Sequence, residues 1–244
     1  MLNRFFVVNF FKNGSAIIEE KPQIHKIKNV LRLQKGDKLE IFDQYSKEYI
    51  TEIEQITDST IFLNILKQRK VNTPKYKINL AAAFPKGKRG DWIIEKVTEL
   101  GVDSIFILET KRSVMDAGIG RINKWKQIAI QAAEQSGRVT VPIIERRKIE
   151  QINGIKIAAV INAKEHIKQK LEELQPKKDV DEITYFVGPE GDWTEQEIRQ
   201  IEGLGAINVT LGSQILRVET ASVVGIYSLG IWREHINQIN QIKM

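Results

Sequence analysis

Two glycine-bearing loops hold the residues best suited to chemistry. Gly188-Pro189-Glu190-Gly191-Asp192-Trp193 follows Phe186-Val187, and Leu211-Gly212-Ser213-Gln214-Ile215-Leu216-Arg217 runs into Val218-Glu219-Thr220-Ala221. Glycine lets a backbone approach a flat ligand closely, and Val187, Leu211, Ile215 and Leu216 offer apolar faces to sandwich one. Either loop alone reads as a tight turn. Two of them within thirty residues, each after a predicted strand, point to a ligand site beyond the carboxyl ends of strands. The sequence contains neither G-x-G-x-x-G nor G-x-x-x-x-G-K-[ST], which argues against a dinucleotide-dependent dehydrogenase or a P-loop nucleotide hydrolase.

The cations form a second group. The 244 residues carry a net charge of +6, distributed as +3 over residues 1–74, +7 over 75–148 and −4 over 149–244. The middle stretch holds Lys86, Lys88, Arg89, Lys111, Arg112, Arg138 and the run Arg146 to Lys148. Pro85-Lys86-Gly87-Lys88-Arg89-Gly90 is a turn signal bearing three cations, suited to phosphate contacts or simply a solvated turn. With no cysteine, disulfides, thiolate metal sites, iron–sulfur clusters and a thiol nucleophile are excluded. Three histidines leave little for a metal site, so no metal is expected. Apolar stretches such as Phe5 to Phe11 are too short to span a bilayer, and Met1-Leu2-Asn3-Arg4 lacks the marks of a signal peptide. The expectation is a cytoplasmic protein without a membrane partner.

The elements that must position these residues fall into two kinds. Residues 1 to about 70 read as β: Arg4 to Phe10, Lys38 to Asp43, Tyr49 to Ile56 and Ile61 to Leu66, with one helix from Ile24 to Leu33. Short strands with short turns predict a small barrel. The pattern changes near Val71-Asn72-Thr73-Pro74. Strands are then predicted at Ile78 to Phe84, Ser104 to Leu108, Ile155 to Ile161, Ile183 to Val187 and Ile207 to Leu211. Helices alternate with them at Trp92 to Leu100, Asn123 to Gln135, His166 to Leu174, Thr194 to Leu204 and Thr220 to about His235. Thr194 and Glu197 have capping-box spacing. Alternating β and α predicts a mainly parallel sheet covered on both faces. Of the four tryptophans, Trp92, Trp125 and Trp232 sit at helical spacing as core residues, while Trp193 belongs nearer the ligand loops.

On these residues the chain resembles the ribosomal RNA small-subunit methyltransferase E family, within the knotted SPOUT methyltransferases. The resemblance rests on Arg4-Phe5-Phe6-Val7, His25, Val30-Leu31-Arg32, Gly36-Asp37 and the run from Lys86 through Trp92 to Val102. It continues through Arg112-Ser113, Ala132-Ala133-Glu134-Gln135-Ser136, Arg138 and Val141-Pro142 to Gly188-Pro189-Glu190-Gly191 and Leu216-Arg217-Val218-Glu219-Thr220-Ala221. Three positions depart from the family pattern: Asp192-Trp193 replaces Gly-Phe, Gln214 replaces Arg and Val218 replaces Thr.

The resemblance implies an α+β two-domain protein: a PUA-like β-barrel over 1–72 and an α/β SPOUT domain with a deep trefoil knot over 73–244. It implies a homodimer that uses S-adenosyl-L-methionine to methylate N3 of a uridine in the decoding region of 16S rRNA of the small ribosomal subunit. The cofactor would lie among Asn162, Ala163, Val187, Gly188, Pro189, Glu190, Gly191, Leu211, Gly212, Ile215, Leu216, Arg217 and Thr220. Arg217 becomes the cation expected to stabilise the uracil anion, unless it is tied up with Glu219 or Glu190. Glu190 and Glu134 are the candidate bases, Glu134 equally reading as a structural helix carboxylate. RNA contacts fall to Arg4, Arg32, Lys86, Lys88, Arg89, Arg112 and Arg138, and His25 reads as an RNA-contact or structural residue. A different RNA target, or a non-catalytic RNA-binding module, would share the basic stretch; a pure binder has no need of the two glycine loops.

Overall fold

The structure is a computed structural model, described here over residues 2–11, 14–71, 74–112, 118–175 and 180–242. The expected boundary at 72/73 and Ser113 lie outside the described residues. The chain divides into two compact units, Met1–Thr73 with Ala133–Val141, and Pro74–Ala132 with Pro142–Met244.

The first unit contains strands β1 (Arg4–Phe6), β2 (Asn9–Phe11), β3 (Ser15–Ile18), β4 (Lys38–Phe42), β5 (Glu48–Ile56) and β6 (Ile61–Arg69). They form one sheet in the order β1-β4-β5-β6-β3-β2, antiparallel except for the β1–β4 pair. Register shifts between Ile50 and Thr51 and between Ile53 and Gln55 bend β5. Phe5, Ala16, Ile18, Leu39, Ile41, Ile53, Ile61 and Leu63 form its core with Ile24 and Ile27. The strand expected from Arg4 to Phe10 is broken in two, because β1 pairs in parallel with β4 whereas β2 pairs antiparallel with β3. The helix expected from Ile24 begins earlier, as α1 (Lys21–His25), and widens into a π-helical turn over Lys26–Val30. Pro22 explains the earlier start: its fixed φ and missing N–H suit a first helical turn.

Arg4 departs from its expected RNA role. Its guanidinium is buried, with ion pairs to Glu40 (3.3 Å) and Glu48, a hydrogen bond to the Arg138 carbonyl (2.8 Å), and the Phe42 ring 4.7 Å away. The packing that completes this unit takes up the donors a phosphate would need.

The second unit contains β7 (Lys77–Ala82), α2 (Lys88–Glu99), β8 (Ser104–Leu108), α3 (Ile119–Ser136), β9 (Ile143–Arg147), β10 (Ile155–Ala159), α4 (Ile167–Glu173), β11 (Glu182–Val187), α5 (Glu195–Gly203), β12 (Ile207–Val209) and α6 (Val218–Ile242); the end of α3 belongs to the first unit. Its six strands are all parallel, in the order β12-β10-β11-β7-β8-β9. Successive β11 side chains serve opposite faces. Phe186 joins Ala81, Phe106, Ala158, Trp193 and Ile201, under α5, whereas Tyr185 meets α6. A Cβ on Gly225 would lie 1.9 Å from the Tyr185 ring, so glycine is required for that approach. Burial without a partner for its hydroxyl pushes the Tyr185 pKa upward.

Strand β9 was not foreseen. Arg146 and Arg147, part of the positively charged middle stretch, lie on this edge strand; Arg146 pairs with Glu109 (2.9 Å), and Arg147 pairs with Glu145 (2.7 Å) while covering the Phe106 ring at 4.4 Å. Trp125 and Trp232 are buried as expected, but Trp92 is 42% exposed on α2. Among the described residues no helix is long and apolar enough to cross a membrane, and no group of three acidic or histidine side chains could hold a metal ion.

Candidate functional site

A cavity of about 520 Å³ opens at the carboxyl ends of β10, β11 and β12. This lies within the range of cofactor sites, roughly 300–1,000 Å³. Three chain segments wall it: residues 159–161 after β10, 187–190 with Asp192 after β11, and 209–218 leading into α6. Parallel strands deliver all three loops to one edge of the sheet, where such a site is expected. Of the residues expected around a cofactor, Val187, Gly188, Pro189, Glu190, Leu211, Gly212, Ile215, Leu216 and Arg217 line it. Asn162, Ala163, Gly191 and Thr220 are not in its lining. Residues 159–161 take the place given to Asn162 and Ala163, because β10 stops at Ala159 rather than Ile161. Periodicity alone does not locate where a strand leaves its ladder.

The first glycine loop is built by local chemistry. The Asp192 N–H donates to the Pro189 carbonyl (2.9 Å), closing a four-residue turn. Asp192 has φ 62°, and its carboxylate accepts from the Trp193 N–H at 2.8 Å. Glycine is the residue that adopts such a φ without penalty. Trp193 is buried beneath the loop. Its indole N–H donates to the Ala159 carbonyl (3.1 Å), tying the end of β10 to the end of β11, and a Cβ on Gly188 would lie only 2.9 Å from the indole nitrogen. Trp193 therefore supports the cavity from below.

The capping box predicted at Thr194 and Glu197 is present: Thr194 Oγ1 accepts from the Glu197 N–H (3.2 Å), and the Glu197 carboxylate accepts from the Thr194 N–H (2.8 Å). The other Glu197 oxygen accepts from the Lys111 N–H at 2.8 Å. Burial would raise the Glu197 pKa, but these hydrogen bonds and the nearby Arg112 charge outweigh it, leaving the carboxyl below its ordinary value.

Two arginines expected at RNA engage the same loop. Arg112 donates to the Gly191 carbonyl at 2.6 Å and reaches the Asp192 carbonyl at 3.5 Å. Arg89, in the first turn of α2, forms an ion pair with Glu190 and also lines the cavity. Arg217 is exposed at the rim, and its guanidinium forms no ion pair or hydrogen bond among the described residues, with Glu219 and Glu190 included. Glu134 is in the first unit, where it accepts from Gln23 (2.8 Å) and the Phe6 N–H (3.1 Å) and pairs with Lys26 (3.6 Å). Those contacts favour its structural reading over its reading as a base. Arg138 is half-buried, donating to Thr140 Oγ1 at 2.8 Å. Arg32, Lys86, Lys88 and His25 are exposed.

On α2, Asp91 accepts from the Trp125 indole (2.9 Å) and pairs with Lys124 and Arg121, fastening α3 to the helix that carries Arg89. Burial opposes its ionisation, but those partners prevail and lower the Asp91 pKa.

Comparison with known proteins places this geometry among RNA-modifying enzymes. The RNA methyltransferase domain family matches residues 72–230, and the RNA methyltransferase PUA domain family matches 19–66. The chain is 31% identical to the ribosomal RNA small subunit methyltransferase E of Buchnera aphidicola, covering 93% of this chain and 95% of that one. It is 29% identical to the protein of the same name from Rickettsia conorii, over 97% and 98% of the two chains. Among solved structures, the ribosomal RNA small subunit methyltransferase E of Neisseria gonorrhoeae bound to S-adenosyl methionine superposes with a TM-score of 0.81 at 28% identity, covering 95% of this chain and 98% of that one.

Proposed function

The chain belongs to the ribosomal RNA small subunit methyltransferase E family, and we propose that it methylates N3 of a uridine in the decoding region of 16S rRNA, using S-adenosyl-L-methionine. The observation that carries this reading is the cavity at the ends of β10, β11 and β12, with both glycine loops in its wall and Arg217 unpaired at its rim.

The residues present suit that cofactor. Val187, Leu211, Ile215 and Leu216 supply apolar faces for an adenine, and the loop backbones supply hydrogen-bonding groups at close range. When bound, the cofactor supplies a methyl group already activated by a sulfonium. The loops' task is to hold the uridine and the methyl donor in line, which removes much of the entropic barrier. The base must leave its pairing environment to reach the cavity. Arg217 then faces the uracil and favours its N3 anion, while Glu190 accepts the N3 proton. Lys86, Lys88, Arg89 and Arg32 hold phosphates.

The finer architecture belongs to the same proposal. Residues 1–72 act as a PUA-like barrel that presents RNA, and residues 73–244 form a SPOUT domain whose chain threads a trefoil knot. A second copy covers the outward stripe of α6, where Tyr227 and Ile231 stand exposed one turn apart. The enzyme works in the cytoplasm, where its RNA substrate is.

Mass spectrometry of nucleosides from the rRNA of a strain lacking the gene tests the reaction. Loss of 3-methyluridine, restored by the wild-type gene, is expected; its retention would sink the substrate assignment. Calorimetry with S-adenosylmethionine separates an enzyme from a plain RNA binder. An Arg217→Ala variant with full transfer at saturating cofactor and RNA would remove that residue from the mechanism.

A further inference from the structure

Arg89 and Arg112 come from different segments and hold one turn by two kinds of contact. Arg112 grips main-chain carbonyls of Gly191 and Asp192, acceptors that no change in side-chain charge can remove. Arg89 grips a side chain, the Glu190 carboxylate, and both partners line the cavity. Their side chains remain 44% and 40% exposed. Ion pairs this exposed are weak and readily screened. A guanidinium also binds a phosphodiester well, through two parallel N–H bonds. Meanwhile a carboxylate whose oxygen is already engaged by a guanidinium has fewer lone pairs free to take a proton from a substrate.

We infer that Arg89 is a positioning residue that withholds the Glu190 carboxylate until a phosphodiester of the substrate strand draws Arg89 away, so that the base is released only when RNA is seated. The exchange leaves the cavity wall standing, because Arg112 holds the turn by its backbone. This inference rests on Glu190 being the proton acceptor.

The test uses single-turnover methyl transfer to two matched RNA fragments of the decoding region. One has ordinary phosphodiesters around the target uridine and the other has neutral methylphosphonate linkages there. Wild-type enzyme at saturating RNA and cofactor is expected to be slower on the neutral fragment by roughly tenfold, part of the roughly 10²–10⁴-fold that general-base catalysis supplies. Arg89→Ala is expected to raise KM for the charged fragment yet give equal saturating rates on both, and Arg89→Lys to restore some of the difference. Equal wild-type saturating rates on the two fragments would overturn the inference. So would a wild-type difference that persists in Arg89→Ala, or a large loss of S-adenosylmethionine affinity in that variant, which would make Arg89 part of the cavity wall alone. Glu190→Gln is run alongside: full transfer by that variant refutes Glu190 as the base, whatever the Arg89 variants do.

Discussion

The Arg112 guanidinium donates to the Gly191 carbonyl oxygen at 2.6 Å, so a residue 79 positions earlier in the chain braces the turn that walls one side of the cavity. Hydrogen bonds from a charged donor contribute about 1.5–3 kcal/mol when buried. Arg112 is exposed, so about 1 kcal/mol is the better figure. Arg112→Ala should therefore weaken S-adenosylmethionine binding roughly fivefold by calorimetry. Arg112→Lys should recover only part of this, because the ammonium sits on a shorter side chain that must reach the same two carbonyls.

Arg4 is expected to act on stability instead of RNA affinity. Arg4→Ala strands Glu40 and Glu48 as buried carboxylates, a change that typically costs about 3–5 kcal/mol. Arg69 still reaches Glu40 at 2.8 Å and Glu48 at 3.8 Å, which favours the lower end. Urea unfolding should show the loss, while the salt dependence of RNA binding by the folded variant stays as in the wild type.

Much of this architecture was legible because it is local. The Thr194–Glu197 capping box, the glycine loops and the alternation of strand and helix each depend on residues a few positions apart, and each lies where its pattern indicates. The misses are long-range. Arg4 and Arg89 are both cations near turns, and nothing in their neighbourhoods says that one is enclosed by Glu40 and Glu48 while the other meets Glu190 across the fold. Strand β9 escaped because Ile143-Ile144-Glu145-Arg146-Arg147 has no period of two; on this edge of the sheet, charged side chains take the positions that alternation would leave apolar.

Asp192 tests the backbone of the first glycine loop. Its φ of 62° is strained for any residue with a Cβ, and its carboxylate offsets part of that by accepting from the Trp193 N–H. Asp192→Ala keeps the strain and loses the hydrogen bond, so it should destabilise by about 1–2 kcal/mol. Asp192→Gly relieves the strain while losing the same bond and should fall within about 0.5 kcal/mol of the wild type. Thermal unfolding of the two variants side by side decides it: equal losses would mean that the φ carries no penalty here.

Glu197 gives a pH dependence with a definite sign. Burial works against its ionisation, but hydrogen bonds from Thr194 and Lys111 outweigh it and depress the folded pKa. A depressed carboxyl contributes stability that is fully present above the unfolded carboxylate value, about 4.3, and is lost as pH falls through the lower folded value. Wild type should therefore be more stable than Glu197→Gln near neutrality, and the gap should narrow as pH drops below about 4.3. Other acidic groups titrate in both proteins and cancel from the difference. Urea midpoints across a pH series measure it; a gap that widens in acid would contradict the assigned sign.

Lys86, on the turn that leads into α2, and Lys88, at the first position of that helix, stand exposed with no ion pair to either among the described residues. Phosphates are the proposed partners, and each lost contact should reduce the slope of log affinity against log salt by about 0.7–0.9. Lys86→Ala with Lys88→Ala is thus expected to flatten the slope by up to about 1.8 and to weaken binding alike for RNAs of different sequence. The choice of uridine should not change, because phosphates position a strand while base contacts select within it. Filter binding across a salt series, paired with mapping of the methylated position, separates the two effects. An unchanged slope would return this turn to the role of a solvated loop, and a shifted methylation site would mean that these lysines read bases.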